Sequence, residues 1–413
     1  IPGGVRMNSA PEEHITHRHE EIMANIQQRR IRGKVWQVLF YLATTIAVLA
    51  LVVLILNIFN RVFGFVIVEN EVEPDSLVAS GNLEDMENDE LIVLLEENLS
   101  QGLIRRFNSE VPLEERSTVD LALLVQERII SPRVIESWSL AESLFEQEAI
   151  RAVHAEYPGS VLQFRSWLTI NFLRTPQNPS PQLAGIRTAF LGSLWMILIV
   201  MVVSFPIGVA SAIYLEEYAR ADKWYNRIIE VNIYNLAGVP SIIYGLLGLA
   251  IFVRLLGGIT QGRTIVSAGM TLALLILPII IINSREAIKA VPASLRESSY
   301  GIGATKWQTI WHHILPASFD RILTGTILAI SRAVGETAPL VVVGASTFIT
   351  VDPESIFSKF TTLPIQIYQW SARPQEQFRN VAGAAIIVLL VLMLSMNAAA
   401  IITRNRIAKN RRV

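Results

Sequence analysis

The sequence predicts an all-α polytopic membrane protein with six transmembrane helices and a helical insertion outside the membrane. Hydrophobic residues make up 51% of the 413 residues and charged residues only 17%, whereas soluble domains carry about 25% charged residues. Six apolar runs are each long enough to cross a bilayer, which takes roughly 20 helical residues. The runs show no period-two alternation, and this favours helices over the strands of a barrel.

The apolar runs define the predicted domain organisation. The expected spans are Trp36–Phe59, Phe190–Leu215, Ile233–Leu256, Ile265–Asn283, Ile322–Ala345 and Val381–Ile402. Residues 1–34 are then a cytoplasmic N-terminal segment and residues 35–61 the first transmembrane helix. An acidic extracytoplasmic insertion and connector occupies 62–182, and the membrane core occupies 183–413 with five spans and a cytoplasmic loop at 284–317.

Lysine and arginine residues predict the orientation, because short cytoplasmic loops are enriched in them. Four basic clusters precede the first span or follow the second, fourth and sixth spans. Their members are Arg29, Arg30, Arg32, Lys34, Arg220, Lys223, Arg227, Arg285, Lys289, Arg296, Lys306, Arg404, Arg406, Lys409, Arg411 and Arg412. With six spans, all four clusters fall on one side, so both termini are predicted to be cytoplasmic.

The insertion is strongly acidic, which excludes it from the membrane. Residues 69–156 contain 21 acidic and 6 basic residues, a balance of −15. Apolar residues at spacings of three and four, with a serine–proline start for the last segment, predict helices at Glu90–Asn98, Val119–Ile130 and Arg133–Tyr157. We therefore expect a small all-α domain with a solvated docking face.

Several kinds of chemistry find no support in the sequence. There are no cysteines, so neither disulfides nor thiolate chemistry is expected. The glycine-rich P-loop pattern is absent, so the chain is not predicted to hydrolyse ATP or to be an enzyme. His14, His17 and His19 lack a frame of carboxylates or cysteines, and no metal site is predicted there.

The cytoplasmic segment between the fourth and fifth spans has an unusual pattern. From Arg296 to Pro316, glycines separate two helical stretches, and the second stretch carries Trp307, Ile310 and Trp311. We expect a helix, a glycine turn and a short second helix that ends at Pro316. Exposed tryptophans suit either a grip on a partner protein or an interfacial helix anchored among lipid headgroups.

This segment resembles the EAA loop of ABC importer permeases, which forms a coupling helix against the ATPase. The residues that match in register are Glu297, Gly303, Leu315 and Pro316, and the departures are Ser298, Ser299 and His313. The residues that the resemblance assigns to ATPase coupling are Glu297, Gly301, Gly303, Ala304, Thr305, Trp307, Leu315 and Pro316. The resemblance implies the six-helix fold of a type I ABC importer permease.

Three further segments, at 214–219, 235–245 and 332–340, resemble the phosphate-specific permeases, and the last is most similar to the PstA-type subunit. The resemblance implies the plasma (inner) membrane of a prokaryote as the location. It also implies a PstC-type second permease subunit, an ATPase dimer and an extracytoplasmic phosphate-binding protein as partners, besides membrane lipid and without nucleic acid. No cofactor is expected on this chain, since ATP and magnesium would bind the ATPase.

Candidate path residues lie in the fifth predicted span. Arg332 and Glu336 are four residues apart and so share one helical face, and ionisable groups within spans are usually functional. An arginine suits phosphate through paired N–H donors. We predict a substrate path lined by Arg332, Glu336 and Thr337; the alternative is a buried ion pair that only fixes helix packing.

Four small or rigid residues are candidate hinges: Gly238, Pro240, Gly335 and Pro339. Small residues also serve close helix packing, so both interpretations stay open. The predicted function is a permease subunit of an ATP-driven phosphate importer that couples ATPase motion to alternating access. The alternatives are a permease for sulfate or molybdate, or a membrane sensor with an extracytoplasmic receptor domain.

Overall fold

The computed structural model describes residues 10–70, 72, 86–220, 222–346 and 348–410. The side chains of residues 10–28, which include His14, His17 and His19, lie outside that description. Contacts divide the chain into two compact units, one ending at Phe59 and the other beginning at Asn60. Each unit is described by itself.

The first unit is formed by helix α1, Ala10–Val62, which reaches into the second unit at its last residues. Its part from Arg29 onward is apolar enough to cross a membrane. The hydroxyls of Thr44 and Thr45 donate to the carbonyls of Phe40 and Tyr41, each at 2.8 Å. These polar groups are thus satisfied within the helix, as a lipid-facing helix requires.

The described chain contains five helices that are long and apolar enough to cross a membrane, and a bent helix pair that makes a sixth if it is one span. The five are Arg29–Val62, Arg187–Tyr218, Ile265–Lys289, Lys306–Gly335 and Gln377–Arg406. The predicted all-α membrane fold is confirmed. Helix Ile265–Lys289 is the most buried span, and it packs against the second and fifth spans.

The third predicted span, Ile233–Leu256, falls on a bent helix pair, and the candidate hinge residues Gly238 and Pro240 lie at the bend. Helices Trp224–Ala237 and Ser241–Leu255 are bent by 106°. Pro240 has no N–H group and disfavours a helical residue before it. The Leu236 carbonyl would bond to the N–H of residue 240 in a regular helix, but Pro240 has none. It accepts instead from the Val239 N–H at 3.1 Å and from the Tyr244 hydroxyl at 2.8 Å.

The fifth span begins and ends earlier than the predicted Ile322–Ala345. It runs through Lys306–Gly335, so the prediction that Pro316 ends the preceding helix is wrong. A π-helical turn closes when the Leu315 amide donates to the Ile310 carbonyl. Pro316 then occupies one of the first positions of the next helix, where its missing N–H is tolerated.

The insertion contains a sheet that the sequence analysis did not predict. Strands β1 (Phe63–Glu69), β2 (Arg133–Ser137) and β3 (Val161–Ser166) form an antiparallel sheet in the order β2-β1-β3. The predicted helix Arg133–Tyr157 is therefore wrong in its first part. Ser131 is left-handed, with φ 46°, and β-branched residues after it favour a strand.

The rest of the described insertion is largely helical. Those of the insertion are α2 (Asn88–Asn98), α3 (Gln101–Glu110), α4 (Thr118–Val125), α5 (Leu140–Phe145), α6 (Gln147–Ala155) and α7 (Ile170–Arg174). A 3₁₀ turn follows α3 at Leu113–Glu115, and a π turn extends α4 through Gln126–Ile130. Leu91, Leu95, Leu121 and Val125 are fully buried at the centre of one core cluster. The two other predicted helices match α2 and α4.

The remaining helices belong to the membrane core. They are α8 (Arg187–Ile213), α9 (Trp224–Ala237), α10 (Ser241–Gly248), α11 (Gly257–Thr260), α12 (Ile265–Lys289), α13 (Ala293–Gly301), α14 (Lys306–Thr309), α15 (Leu315–Gly335), α16 (Ala338–Val343), α17 (Leu363–Ser371) and α18 (Gln377–Asn410). Three π-helical segments extend α8, α10 and α14, at Tyr214–Tyr218, Leu249–Leu255 and Ile310–Ile314.

An ion pair connects the insertion to the membrane core. Arg187, the first residue of α8, lies 2.7 Å from Asp352 and 3.9 Å from Asp120 of the insertion. The Thr188 hydroxyl also donates to Asp352, at 2.9 Å. The insertion is thus held against the loop that follows α16.

The cluster around Leu121 should carry the stability of the insertion. Leu121 is 0% exposed, whereas Leu144 in the same insertion is 60% exposed. Replacing Leu121 with Ala should lower the local free energy of unfolding by about 2–5 kcal/mol, because it leaves a cavity. Leu144→Ala, the matched control, should change it by no more than about 0.5 kcal/mol.

Hydrogen exchange of the full chain in nanodiscs, read over residues 88–130, measures this difference. Equal exchange rates in the two variants would show that the cluster does not stabilise the insertion.

Candidate functional site

The segment between the fourth and fifth spans folds as a helical hairpin, α13 and α14, which we call the hairpin. Its turn contains Gly303 with φ 85°, a conformation that glycine adopts readily. Thr305 begins α14 through a capping box, in which its hydroxyl accepts from the Gln308 amide and the Gln308 side chain accepts from the Thr305 amide at 2.9 Å. These local bonds fix the turn without help from neighbouring elements.

The tip of the hairpin exposes apolar side chains. Ile302 is 83% exposed, and Trp307 and Trp311 are each 57% exposed. The two tryptophan rings stack one helical turn apart, with centroids 5.6 Å apart. A cluster of exposed apolar side chains of this kind marks a surface that contacts a partner or lipid.

The structure divides the predicted coupling residues into two groups. The exposed group lies at or near the tip: Glu297, Gly301, Gly303, Thr305 and Trp307. The partly buried group is Ala304, Leu315 and Pro316. Leu315 packs against the apolar cluster below the hairpin, so the first group is available to a partner and the second attaches the hairpin to the membrane core.

A buried glutamate holds the base of the hairpin. Glu217, in the π turn that extends α8, accepts from Arg296 of α13 through both Nε (3.1 Å) and Nη2 (2.8 Å). Lys306 of α14 donates to the Glu217 carbonyl at 2.5 Å and lies over the Tyr218 ring. We call Glu217, Arg296 and Lys306 the hairpin clamp. It connects both hairpin helices to the end of the second span.

A second ion-pair group lies beside the clamp. Arg285 of α12 contacts Glu216 at 3.0 Å and Glu230 of α9 at 2.6 Å. The adjacent glutamates Glu216 and Glu217 therefore connect three spans and the hairpin. The sequence analysis noted their segment only as a family resemblance. Two glutamates at the end of a span, with arginines at the predicted cytoplasmic side of the fourth span, were the pattern that could have revealed this network.

The predicted path residues lie where the fifth span ends. Arg332 is in the last turn of α15, Glu336 follows the helix, and Thr337 is the residue before α16. Arg332 Nε and Glu336 Oε1 are 3.4 Å apart, and the side chains are 51% and 18% exposed. The pair exists, but Arg332 is not buried within this chain, which disfavours a purely internal packing role.

The predicted hinge residues lie at two helix breaks. Gly238 and Pro240 form the bend between α9 and α10, while Gly335 ends α15 and Pro339 begins α16. Helices α10 and α16 pack closely: a Cβ on Gly245 would lie 2.7 Å from the Pro339 Cα. The start of α16 therefore packs against the middle of α10. Whether they move as hinges stays a prediction.

Among the described residues, no group of three or more His, Cys, Asp or Glu side chains is arranged to hold a metal ion. The candidate site consists instead of an apolar contact surface, an ion-pair network below it and an accessible arginine at a helix end.

Comparison with known proteins identifies a family. Residues 204–410 match the family described as "Binding-protein-dependent transport system inner membrane component". This stretch contains most of the membrane core, the hairpin and the candidate path. The insertion and the first span lie outside it.

For three relatives, the match to this chain extends over more than two thirds of the relative's length. The chain is 30% identical over 247 residues to the probable ABC transporter permease protein YqgI of Bacillus subtilis, covering 56% of this chain and 83% of YqgI. It is 33% identical over 237 residues to the phosphate transport system permease protein PstA 1 of Mycobacterium tuberculosis, covering 57% and 74%. It is 34% identical over 239 residues to PstA of Yersinia pestis, covering 57% and 78%.

Solved structures with a similar chain include two ABC transporters. A bacterial alginate transporter is 17% identical with a TM-score of 0.45, covering 65% of this chain and 92% of that chain. The inward-facing methionine transporter MetNI is 17% identical with a TM-score of 0.44, covering 54% and 95%.

Removing the charge of Glu217 should loosen the hairpin. Glu217→Gln leaves Arg296 without its counter-ion and weakens charge-assisted hydrogen bonds, each of which contributes about 1.5–3 kcal/mol. Hydrogen exchange over residues 293–309 should therefore become at least about tenfold faster. The matched control is Glu286→Gln, since Glu286 is exposed. Unchanged exchange in Glu217→Gln would contradict the clamp.

Proposed function

Because the chain belongs to the family of binding-protein-dependent inner membrane components and is the permease component of an ABC importer, we propose that it imports inorganic phosphate. ATP hydrolysis on a partner would drive alternating access of the path. The observation that carries the substrate assignment is Arg332, an accessible arginine at a helix break within the membrane core, in a chain whose relatives include PstA phosphate permeases.

Arg332 has the chemistry that a phosphate path needs. Its guanidinium presents several N–H donors in a plane and binds phosphate oxygens in pairs. Its guanidinium approaches Glu336 at 3.4 Å, which is long for a charge-assisted hydrogen bond. A phosphate ion therefore competes with a weak partner.

Glu336 repels a phosphate anion and so does not bind it. Its proposed role is to hold Arg332 when the path is empty. Arrival of phosphate would release Arg332, and departure would restore the pair. Thr337 adds a hydroxyl at the same helix break.

The hairpin is the proposed contact with the ATPase dimer, which binds ATP and magnesium. Trp307 and Trp311 present an apolar surface to the ATPase, and the hairpin clamp transmits its displacement to the end of the second span. The change in backbone conformation would occur at the two helix breaks, which contain Gly238, Pro240, Gly335 and Pro339.

The remaining partners follow from this assignment. An importer permease works with a second permease, an ATPase and a substrate-binding protein, and we propose a PstC-type subunit and a phosphate-binding protein here. Both termini would be cytoplasmic, with the insertion outside. Since acidic surfaces repel free anions, delivery by a binding protein suits this chain, and we assign the insertion to docking or orienting that protein.

Sulfate or molybdate is the rival substrate, since an arginine binds any oxyanion. The sensor hypothesis has no remaining support, because the family is one of transport components.

The decisive experiment is uptake into proteoliposomes that contain this chain, the second permease, the ATPase and the binding protein. We expect phosphate uptake that requires ATP and persists in excess sulfate or molybdate. Uptake of another oxyanion in place of phosphate would refute the assignment of phosphate as the substrate. No uptake of any oxyanion by an assembled complex would discard the import function.

Arg332 should be essential to that uptake. Arg332→Gln should reduce the rate at least about tenfold, because it removes charge-assisted hydrogen bonds, and Arg332→Lys should retain part of it since a point charge remains. Arg321→Gln is the matched control, an exposed arginine of the same helix. Normal uptake by assembled Arg332→Gln would exclude Arg332 from the path.

A further inference from the structure

The insertion contains a cavity of about 590 Å³ beside strand β3. One side is formed by β3 and the other by α4, α7 and the connector before α8. Its volume lies in the range of small-molecule sites, roughly 300–1,000 Å³. Nothing in the proposed transport function uses this cavity.

The charge of the cavity wall is opposite to that of the insertion around it. Arg165 is the only charged side chain among the described residues that line it, and no carboxylate is among them. The insertion as a whole is strongly acidic, with 21 acidic and 6 basic residues over 69–156. A wall with one arginine and no acid is therefore unexpected in this domain.

Arg165 has no anionic partner among the described residues. Its Nη2 donates to the Gln182 carbonyl at 2.6 Å, and its guanidinium lies 5.0 Å from the centroid of the Trp167 ring. Burial lowers the pKa of the Arg165 guanidinium from its ordinary value, but an arginine remains protonated at neutral pH. Arg165 is half-buried, and an anion bound beside it would act as the counter-ion of its charge.

Other lining groups add hydrogen-bonding capacity. Amide side chains at the wall include Gln163, Asn171 and Gln182, and Thr175 adds a hydroxyl. The Gln182 Oε1 atom is buried without a hydrogen-bond partner. The amide oxygen and nitrogen exchange places on rotation by 180°, and the rotated Gln182 would present N–H donors instead.

A neighbouring cavity of about 660 Å³ provides an internal contrast. Its lining combines Arg133 with the carboxylates Glu69 and Glu127. Glu127 in turn pairs with Arg128 at 3.1 Å and accepts from Asn178. Charge is balanced there, and it is unbalanced around Arg165.

We propose that the Arg165 cavity binds a phosphate group, either as inorganic phosphate or as a phosphomonoester. Arg165 supplies the charged donors, and the amide and hydroxyl groups around it complete the coordination. The preference for phosphate over another oxyanion rests on the proposed function, whereas the anion site itself rests on the cavity. The volume exceeds that of the bare ion, so it also admits the organic part of a small phosphomonoester.

The test is equilibrium dialysis of radiolabelled inorganic phosphate against the full chain, paired with its second permease in nanodiscs. No binding protein or nucleotide is added. Arg332→Gln in every preparation removes the proposed path site from the measurement. We expect saturable binding in this background, displaced by unlabelled phosphate and at least about tenfold less well by sulfate.

Two variants locate the site. Arg165→Gln should weaken binding at least about tenfold, because charge-assisted hydrogen bonds are lost. Gln163→Glu places a carboxylate two residues away on the same face of β3, where it competes for Arg165 with little change in shape. It keeps the test decisive if Arg165→Gln does not fold. Arg151→Gln, an exposed arginine of the same domain, should bind normally.

Glycerol 3-phosphate distinguishes the two sources of the phosphate group. Displacement of the label at lower concentrations than inorganic phosphate would identify a phosphomonoester site, and weaker displacement an inorganic phosphate site. Unchanged binding in folded Arg165→Gln and Gln163→Glu, or no saturable binding in the parent, would overturn the proposal. Equal displacement by sulfate would overturn the choice of phosphate. Each of these outcomes is independent of uptake, which tests the transport function.

Discussion

The structure depends on one constraint, which is that lipid offers no hydrogen-bond partners to the backbone. Continuous helices meet this constraint along five spans. The bent pair meets it in a different way, because the Leu236 carbonyl accepts from the Val239 N–H and the Tyr244 hydroxyl in place of the N–H that Pro240 lacks. The second break is covered by close packing of Gly245 on Pro339. Irregular backbone thus occurs in the core where other parts of the chain satisfy or cover it.

A similar constraint applies to charged side chains at the span ends beside the hairpin. Buried carboxylates are costly unless they are paired, and Glu216 and Glu217 each contact an arginine. Arg285 also contacts Glu230, so together these ion pairs join the second, third and fourth spans and the hairpin. An ion pair also joins the insertion to the core, where Arg187 lies 3.9 Å from Asp120.

Sequence reasoning succeeded where one physical effect dominates. Hydrophobicity over some 20 residues located the apolar segments, although the third is a bent pair and the fifth begins and ends earlier than predicted. The glycine turn of the hairpin followed from its residue pattern. It failed where contacts between distant parts of the chain determine the local structure. The residues after Ser131 have local spacing compatible with a helix, but pairing with β1 makes them a strand. Pro316 was expected to end a helix. The π turn before it instead puts Pro316 at the start of the next helix, where a missing N–H is tolerated. The partners of Glu217 were not predicted because they lie 79 and 89 residues away, and only the charges at the span ends indicate them.

The stacked rings of Trp307 and Trp311 have a consequence for the kinetics of recognition. Each ring already restricts the other before any partner arrives, so docking removes few rotameric states from this surface. Ordering a flexible side chain on binding costs about 0.5–1.5 kcal/mol, and a surface already ordered avoids most of that loss. Such a surface can detach and reattach without refolding. A surface that binds its partner repeatedly therefore benefits from rigid aromatic side chains.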